Sequence, residues 1–303
     1  MGNLLESFAK DVYSQYGEDG ILKHIFDLLG VPTGYFCEFG AWDGIKHSNT
    51  YNLYLQGWSG CYIEGDPHRF SALQANIQRP NTKCICAMVV AQGDGEHSRT
   101  LDEILESTGA PIEFDLLSID IDGDDLLVWK SLKSRSARVV VIEYNGTIPI
   151  GVEFANEGGG NRGNSCTSIV NYARSRDYIL IAQTEGNLIF GKCDLMMEHG
   201  LPEIRLRPNT SYFFGYDGTL FFKEAFFEDE RGATQILDTI SVPWTQAFFP
   251  QPIPEAFRGY GQFESERKRF SAAVYFCYRN LMLLSRNRFI GTLAFLRRRL
   301  RSW

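Results

Sequence analysis

The sequence predicts an α/β fold in which a doubly wound parallel sheet carries helices on both faces. Short, mostly apolar stretches alternate with helical patterns from about residue 18 to residue 145. Strands that are apolar on both faces are typical of a parallel sheet covered on both sides. The 303 residues, 44% of them hydrophobic and 22% charged, are enough for one sizeable α/β domain with additions.

The predicted elements follow one another in regular order. Apolar stretches predict strands at 35–39, 60–64, 84–90, 114–119 and 139–143. Apolar spacing of three and four residues, in places with polar caps, predicts helices at 21–29, 48–56, 68–77, 100–107 and 124–132. After a gap, the pattern resumes with a helix at 167–175 and strands at 178–183 and 188–190.

Three further segments complete the predicted organisation. Residues 146–165 are rich in glycine and follow the fifth strand directly, so we interpret them as a candidate lid. We assign residues 1–225 to the sheet domain, with 1–30 as an N-terminal helical cover, and predict a hairpin at 212–222. Residues 226–303 are predicted to form a connector and basic amphipathic helices.

The C-terminal tail differs in charge from the rest of the chain. From Arg267 to the end there are ten Lys and Arg residues and no Asp or Glu. Such a tail is open to three roles: docking on the sheet domain, homodimerisation, or peripheral contact with an anionic membrane surface through 267–303.

The composition of the remaining chain argues against several classes of partner and site. It holds twenty basic and thirty-seven acidic residues, which argues against nucleic acid as a partner. We see neither a signal-peptide pattern nor an apolar run long enough to span a membrane. The seven cysteines include no CxxC pair, so neither a zinc site nor a disulfide framework is indicated. We expect a cytoplasmic protein.

The first strand runs into a glycine-rich turn that indicates a ligand site. Residues 35–44 read YFCEFGAWDG, and the second strand ends on Glu64. Glycine lets a ligand approach the backbone closely, and a carboxylate at the tip of the neighbouring strand can accept both hydroxyls of a ribose. The turn lacks the G-x-G-x-x-G fingerprint of dinucleotide-binding sites. We therefore expect a nucleoside-containing cofactor at the carboxyl ends of the strands.

Acidic residues follow the fourth and fifth strands at the same edge of the predicted sheet. Asp120 and Asp122 come after the fourth strand, and Glu143 and Asn145 end the fifth. These oxygen atoms suit a hard cation such as Mg²⁺, which would lower the pKa of a substrate hydroxyl. Carboxylates without a metal can also orient or deprotonate a hydroxyl. The plainer alternative, capping of the following helix, applies to Asp122, Asp124 and Asp125.

Short motifs follow one another along about residues 13–190: SQYGED at 14–19, EFGAWDG at 38–44, SNT at 48–50, GWSG at 57–60, YIE at 62–64, TLD at 100–102 and LSIDIDG at 117–123. The turn after the first strand has the pattern Glu-x-Gly-x-x-x-Gly, which is similar to motif I of Rossmann-like S-adenosylmethionine (SAM) methyltransferases. In combination the motifs show a resemblance to the FkbM-like SAM-dependent methyltransferases. This resemblance implies an enzyme that methylates hydroxyl groups on sugars or polyketide-type natural products.

The resemblance also suggests roles for individual residues. The expected SAM-binding residues are Glu38, Gly40, Ala41, Asp43, Gly44, Ser48, Asn49, Glu64 and Asp94, with Asp94 near the adenine. Ser48 and Asn49 either bind the methionine carboxylate at a helix N-terminus or simply cap that helix. The metal-dependent O-methyltransferases hold magnesium with residues that correspond to Asp120, Glu143 and Asn145. The catalytic candidates are Asp120, Asp122 and His47.

The sequence as a whole predicts a SAM-dependent O-methyltransferase that acts on a hydroxyl of a sugar, glycan or related natural product, with Mg²⁺ as a candidate second cofactor. Two alternatives stay open. One is a Rossmann enzyme that uses NAD or a nucleotide sugar, and the other is a non-catalytic methyltransferase-fold protein for binding or assembly at a membrane.

Overall fold

The computed structural model describes residues 4–94, 98–146, 150, 153–156 and 163–207, together with five short strands between 212 and 242. The chain divides into two compact units, one comprising 1–144, 155–164 and 168–206 and the other comprising 145–154, 165–167 and 207–303. The domain boundary predicted at residue 225 stays a prediction. Among the described residues, none of the helices has the length and apolar character that a membrane span needs.

A seven-stranded sheet forms the centre of the first unit. Its strands, in chain order, are β1 (Tyr35–Phe39), β2 (Ser59–Glu64), β3 (Thr82–Cys86), β4 (Glu113–Ile119), β5 (Ser136–Glu143), β6 (Tyr178–Gln183) and β7 (Asn187–Lys192). They lie in the order β3-β2-β1-β4-β5-β7-β6. The pairs among β1 to β5 are parallel, whereas β7 is antiparallel to both β5 and β6. The predicted doubly wound α/β sheet is confirmed, and β6 and β7 close it as an antiparallel hairpin.

Seven helices flank this sheet in the described part of the chain. They are α1 (Glu18–Leu28), α2 (Tyr51–Leu55), α3 (Pro67–Asn76), α4 (Leu101–Thr108), α5 (Asp125–Ser131), α6 (Cys166–Ser175) and α7 (Cys193–Glu198). A 3₁₀ turn at Leu4–Phe8 precedes them, and two-residue strands at Met88–Val89 and Ser98–Arg99 pair in parallel. The sequence pattern predicted all the helices except α7, which is six residues long and follows β7 directly.

The predicted helix at 48–56 is wrong at its beginning. It starts at Tyr51, because the hydroxyls of Ser48 and Thr50 donate hydrogen bonds to the buried carboxylate of Glu38. Side chains of this kind compete with the backbone for local hydrogen bonds and so delay helix formation.

The central strands are buried on both faces, as their apolar sequence predicts. Leu116 and Leu117 in β4 are fully buried although they point to opposite faces of the sheet. The same holds for the run from Val139 to Ile142 in β5. Burial of one such side chain contributes roughly 1.5–3 kcal/mol. This core holds the carboxyl ends of the strands in fixed positions.

The second unit contains five described strands. These are β8 (Tyr212–Phe214), β9 (Leu220–Phe222), β10 (Ala225–Glu228), β11 (Thr234–Leu237) and β12 (Ile240–Val242). The predicted hairpin at 212–222 is confirmed, because β8 pairs with β9 in antiparallel register. The sequence did not predict β10 to β12. Most of the candidate lid at 146–165 and all of the basic tail lie outside the described residues.

Candidate active site

The turn after β1 lies against the end of β4. Gly40 has φ +75°, and a Cβ atom there would overlap the carbonyl oxygen of Asp120. The backbone amide of Asp120 in turn donates to the carbonyl of Phe39 at 3.3 Å. Only glycine fits at this point, because any side chain would force the two strand ends apart. The tip of β1 is therefore in contact with the tip of β4, which is followed by Asp120 and Asp122.

The rest of the turn is closed by its own polar groups. The Asp43 Oδ1 atom accepts hydrogen bonds from two backbone amides of the same turn, at 2.9 and 2.8 Å. The amide of Ala41 donates to the carbonyl of Ile63 in β2 at 3.1 Å. Gly44 has φ +79° and packs on α3, where a Cβ atom would lie 2.6 Å from Leu73. Asp43 thus shapes the turn, and its contact with a cofactor stays a prediction.

Glu64 lies at the junction of two turns. Its Oε2 atom accepts a hydrogen bond from the backbone amide of Trp42 at 2.8 Å, and its Oε1 atom accepts one from the amide of Asp66 at 2.8 Å. A carboxylate oxygen has two acceptor sites, so each oxygen keeps one for a ligand hydroxyl. The structure thus fixes this carboxylate, which is 6% exposed, and its contact with a ribose stays a prediction.

Glu38 is buried beneath the turn. Its carboxylate accepts hydrogen bonds from the hydroxyls of Ser48 and Thr50, each at 2.6 Å, and from the amide of Asn49 at 2.9 Å. Burial raises the pKa of Glu38, and these three donors offset part of that effect. The Asn49 side chain also donates to Ser118 in β4. Glu38, Ser48 and Asn49 therefore join β1 to β4, and their direct contact with a cofactor stays a prediction.

Three carboxyl groups meet at the tips of β4 and β5. One oxygen from each of Asp120, Asp122 and Glu143 lies within 4.8 Å of the other two. Burial, followed by repulsion among neighbouring carboxylates, raises the pKa of Asp120 and of Glu143 well above the ordinary range. A cation placed among them would relieve this repulsion. Asn145 belongs to the second unit, so its role as a metal ligand stays a prediction.

The turn that carries these acids is held by its neighbours. The Asp125 carboxylate accepts hydrogen bonds from the amides of Ile121 and Gly123 at 2.8 and 2.9 Å, and burial raises its pKa to about 6. Asp124 occupies the N-cap position of α5, but its carboxylate accepts from the side chain of Asn156 at 2.6 Å and makes no capping bond. The capping alternative is therefore wrong for Asp124. Both residues stabilise the turn.

The N-terminal motif SQYGED is tied to the far side of the sheet. Glu18 accepts hydrogen bonds from Thr184 at 2.6 Å and from Asn187 at 2.9 Å. The ring of Tyr16 packs closely on Gly186, because a Cβ atom added to Gly186 would lie 2.7 Å from the ring. Burial, with help from Glu18 and Glu143, raises the pKa of Tyr16 to about 12. The sequence analysis did not single out Tyr16 as a site residue, although the motif contains it.

Strained backbone is concentrated at this edge of the sheet. The described part of the chain has four non-glycine residues with positive φ, and three of them are Trp42 (+49°), His47 (+60°) and Asp122 (+60°). Strain of this kind costs on the order of 1–3 kcal/mol per residue and occurs preferentially at functional sites. His47 is exposed and does not belong to the cluster of acidic residues formed by Asp120, Asp122 and Glu143, so its role as a base stays a prediction.

Asp94 is an exposed residue of the loop after Met88–Val89. Its carboxylate accepts a hydrogen bond from the amide of Ser98 at 3.0 Å. This contact shapes the loop, and the predicted contact with adenine stays a prediction.

Comparison with known proteins returns fold neighbours. No protein-family model and no curated protein sequence matches the chain. TrmK of M. capricolum, solved with S-adenosyl-homocysteine, is 10% identical with a TM-score of 0.35, over 56% of this chain and 67% of TrmK. A TehB-like SAM-dependent methyltransferase from Corynebacterium glutamicum is 14% identical with a TM-score of 0.37, over 62% and 92% of the two chains. SAM-bound CalS10 from Micromonospora echinaspora, an amino pentose methyltransferase involved in calicheamicin biosynthesis, is 9% identical with a TM-score of 0.37, over 58% and 89%.

Proposed function

We propose that the chain is a SAM-dependent O-methyltransferase that acts on a hydroxyl of a sugar, glycan or related natural product. The observation that carries the proposal is the meeting of three strand tips. The turn after β1 touches β4 at Gly40 and reaches β2 through the hydrogen bond from Trp42 to Glu64. A crevice at the carboxyl ends of such strands is where α/β sheets of this type bind nucleoside ligands.

The charge of this edge favours a cationic cofactor. Glu38 is buried, and Asp120 and Glu143 are half-buried. Their carboxyl groups lie in the same neighbourhood, since Glu38 and Glu143 both interact electrostatically with Asp120. A pyrophosphate would be repelled here, and the turn offers no G-x-G-x-x-G cradle for one. SAM, when bound, supplies a methyl group on a positively charged sulfur. The same charges therefore disfavour NAD and nucleotide sugars.

The chain's own residues would position the reactants. Glu64 would accept the ribose hydroxyls with its remaining acceptor sites, and the backbone from Gly40 to Gly44 would lie along the cofactor. Either Asp120 or Asp122 would accept the single proton of the acceptor hydroxyl, for which a raised pKa is suited. Methyl transfer is a direct displacement, so the main contribution to catalysis is placement of the reacting atoms in line.

The three carboxyl groups at the strand tips also fit a hard cation. Asp120, Asp122 and Glu143 would hold Mg²⁺ with oxygen atoms, as this ion prefers, and Mg²⁺ would lower the pKa of an acceptor hydroxyl.

For the whole protein we propose a glycan or small-molecule acceptor and a cytoplasmic location.

Release of S-adenosyl-homocysteine (SAH) from SAM tests this function. The assay uses a panel of free sugars and sugar phosphates, with and without MgCl₂, on the full chain and on Asp120→Asn. We expect turnover with at least one acceptor, and loss of at least 99% of it (about 2.7 kcal/mol) in Asp120→Asn while SAM still binds. Full activity of Asp120→Asn would show that the chemistry takes place elsewhere.

A further inference from the structure

An exposed tryptophan and a surface arginine form a stacked pair at the edge of the crevice. Trp42 keeps 42% of its surface exposed although it is a large aromatic residue. The guanidinium carbon of Arg69, on α3, lies 4.2 Å from the centre of the Trp42 ring. The ammonium group of Lys46 lies 5.4 Å from the same centre. Two cations thus lie over one exposed ring.

The pair is built into the fold. Trp42 holds a left-handed backbone conformation with φ +49°, which is costly for a bulky residue. The helix that carries Arg69 is fastened to the same turn, because the Asn76 side chain donates to the carbonyl of Asp43 at 2.9 Å. Leu73 of that helix packs on Gly44. The helix and the turn therefore hold the backbone of Arg69 and that of Trp42 in a fixed relation.

Arg69 has unused hydrogen-bonding capacity. Among the described residues its guanidinium makes no hydrogen bond and no ion pair within 4.0 Å, and its contact with Trp42 is through the ring. Other described arginines have polar partners. Arg138 pairs with Asp115 at 3.1 Å and Arg174 with Glu203 at 2.8 Å, and hydrogen bonds to carbonyl or hydroxyl oxygens are made by Arg79, Arg99 and Arg135. A guanidinium held over a ring by a cation–aromatic contact can still use its N–H groups to bind a phosphate or carboxylate with two hydrogen bonds.

The stacked pair adjoins both halves of the candidate site. The amide of Trp42 donates to Glu64, the expected ribose ligand, at 2.8 Å. Arg69 also interacts electrostatically with Asp122, the exposed member of the three clustered carboxylates. Single exposed cation–aromatic contacts are common in proteins and indicate nothing by themselves. Here a strained ring, two cations and two neighbouring carboxylates of the site coincide.

We propose that Arg69, stacked on Trp42 with Lys46 over the same ring, binds an anionic oxygen group of the methyl acceptor. The acceptor class is thus a sugar that carries a phosphate or a carboxylate. This inference rests on the proposed methyltransferase function. An anionic acceptor would otherwise meet only repulsion from Asp120, Asp122 and Glu143, and the cationic pair provides the compensating attraction.

Calorimetry on the full chain tests the proposal. SAH is titrated first, and the SAH-saturated protein is then titrated with α-D-glucose 1-phosphate, D-glucuronate or uncharged D-glucose. We expect one of the two anions to bind, glucose to bind far more weakly, and Arg69→Gln to weaken the anion at least tenfold without changing SAH affinity. Arg174→Gln is the matched control, because it removes one exposed arginine on α6 and should leave both affinities unchanged. Added salt should weaken the anion.

The possible outcomes distinguish a phosphate from a carboxylate as the bound group. They also distinguish failure of the anion site from failure of the methyltransferase function. Preference for the phosphate or for the glucuronate assigns the anionic group. Equal anion affinity in Arg69→Gln and the wild type would overturn the inference, as would the absence of binding by both anions to SAH-loaded protein. Weaker SAH binding in Arg69→Gln would also overturn it, since the pair would then hold the cofactor's carboxylate. Arg69-dependent anion binding to a protein that does not bind SAH would keep the anion site and reject the methyltransferase function.

Discussion

Gly40 leaves no room for a side chain where β1 passes β4. We predict that Gly40→Ala destabilises the protein by at least about 3 kcal/mol, because the new Cβ atom would collide with the backbone of Asp120 and would also hold a left-handed φ. Gly30→Ala is the matched control, since Gly30 has φ +67° and nothing within 4 Å of the Cβ position. It should lose only the 1–2 kcal/mol, roughly, that the left-handed φ costs. Urea unfolding measures both, and equal losses would show that the close approach is unimportant.

Glu64 is predicted to bind the cofactor directly. Glu64→Ala should weaken SAM binding at least tenfold, because it removes the acceptors for the ribose hydroxyls and leaves the amides of Trp42 and Asp66 without their partner. Glu106→Ala, at an exposed site on α4, is the control and should bind SAM as the wild type does. Calorimetry gives the affinities, and thermal unfolding confirms that both variants are folded. Unchanged affinity in Glu64→Ala would remove the assigned role.

The sequence indicates which residues gather at the crevice but not which of them face it. Glu38 is the penultimate residue of its buried strand and Glu64 is the last residue of the next. Only the structure shows that three donors from residues 48–50 surround Glu38, whereas Glu64 keeps acceptor sites free. Trp42 and Arg69 are 27 positions apart and carry no shared motif. Their contact depends on how α3 packs on the turn, which no local pattern encodes.

Glu18 connects two elements that are distant in sequence, α1 and β7. Its carboxylate is buried and accepts hydrogen bonds from Thr184 and Asn187. We predict that Glu18→Ala costs about 1–3 kcal/mol, because both donors lose their partner in a buried place. Hydrogen exchange should show faster exchange in residues 11–17, since the amide of Tyr16 also donates to Glu18. Glu106→Ala serves as the control again, and unchanged protection of 11–17 would contradict this link.

For the strands and helices, the periodicity of apolar residues predicted where each element lies in the sequence. It did not predict whether neighbouring strands run parallel or antiparallel. Strands β6 and β7 were both expected, but an apolar run has the same pattern in parallel and antiparallel strands. The signal that distinguishes them is the connection: only residues 184–186 separate the two strands, whereas a parallel crossover needs a dozen or more residues. The shortened α2 has a different cause. The hydroxyls of Ser48 and Thr50 donate hydrogen bonds to the buried carboxylate of Glu38 in β1, so the helix begins only at Tyr51.

The whole molecule has an uneven charge distribution. Ten basic residues lie in 267–303, and the preceding chain is strongly acidic. If the tail contacts an anionic membrane, a chain that ends at Gln262 should lose sedimentation with phosphatidylserine liposomes, whereas the full chain should bind them at low salt and dissociate at high salt. Uncharged phosphatidylcholine liposomes provide the control. Equal binding of the two chains would eliminate the membrane role and leave docking or dimerisation.

The fold of the described sheet unit followed from the sequence more readily than the identity of the acceptor does. Alternating apolar and helical patterns repeat over more than a hundred residues, so the sheet was predicted from many consistent signals. The acceptor is recognised by a few surface groups whose spacing is set by tertiary packing, such as Arg69 over Trp42. A fold of this kind also serves many chemistries, so the site and not the sheet must identify the reaction.

The proposed cofactor is tested by calorimetric titration of the full chain with SAM and, separately, with NAD, each titration being repeated in MgCl₂. We predict micromolar binding of SAM and no measurable binding of NAD, because the acidic strand tips attract a sulfonium cation and repel a pyrophosphate. Tighter SAM binding with MgCl₂ would support a metal site formed by the carboxylates of Asp120, Asp122 and Glu143. Failure of the folded protein to bind SAM, or a preference for NAD, would contradict the account.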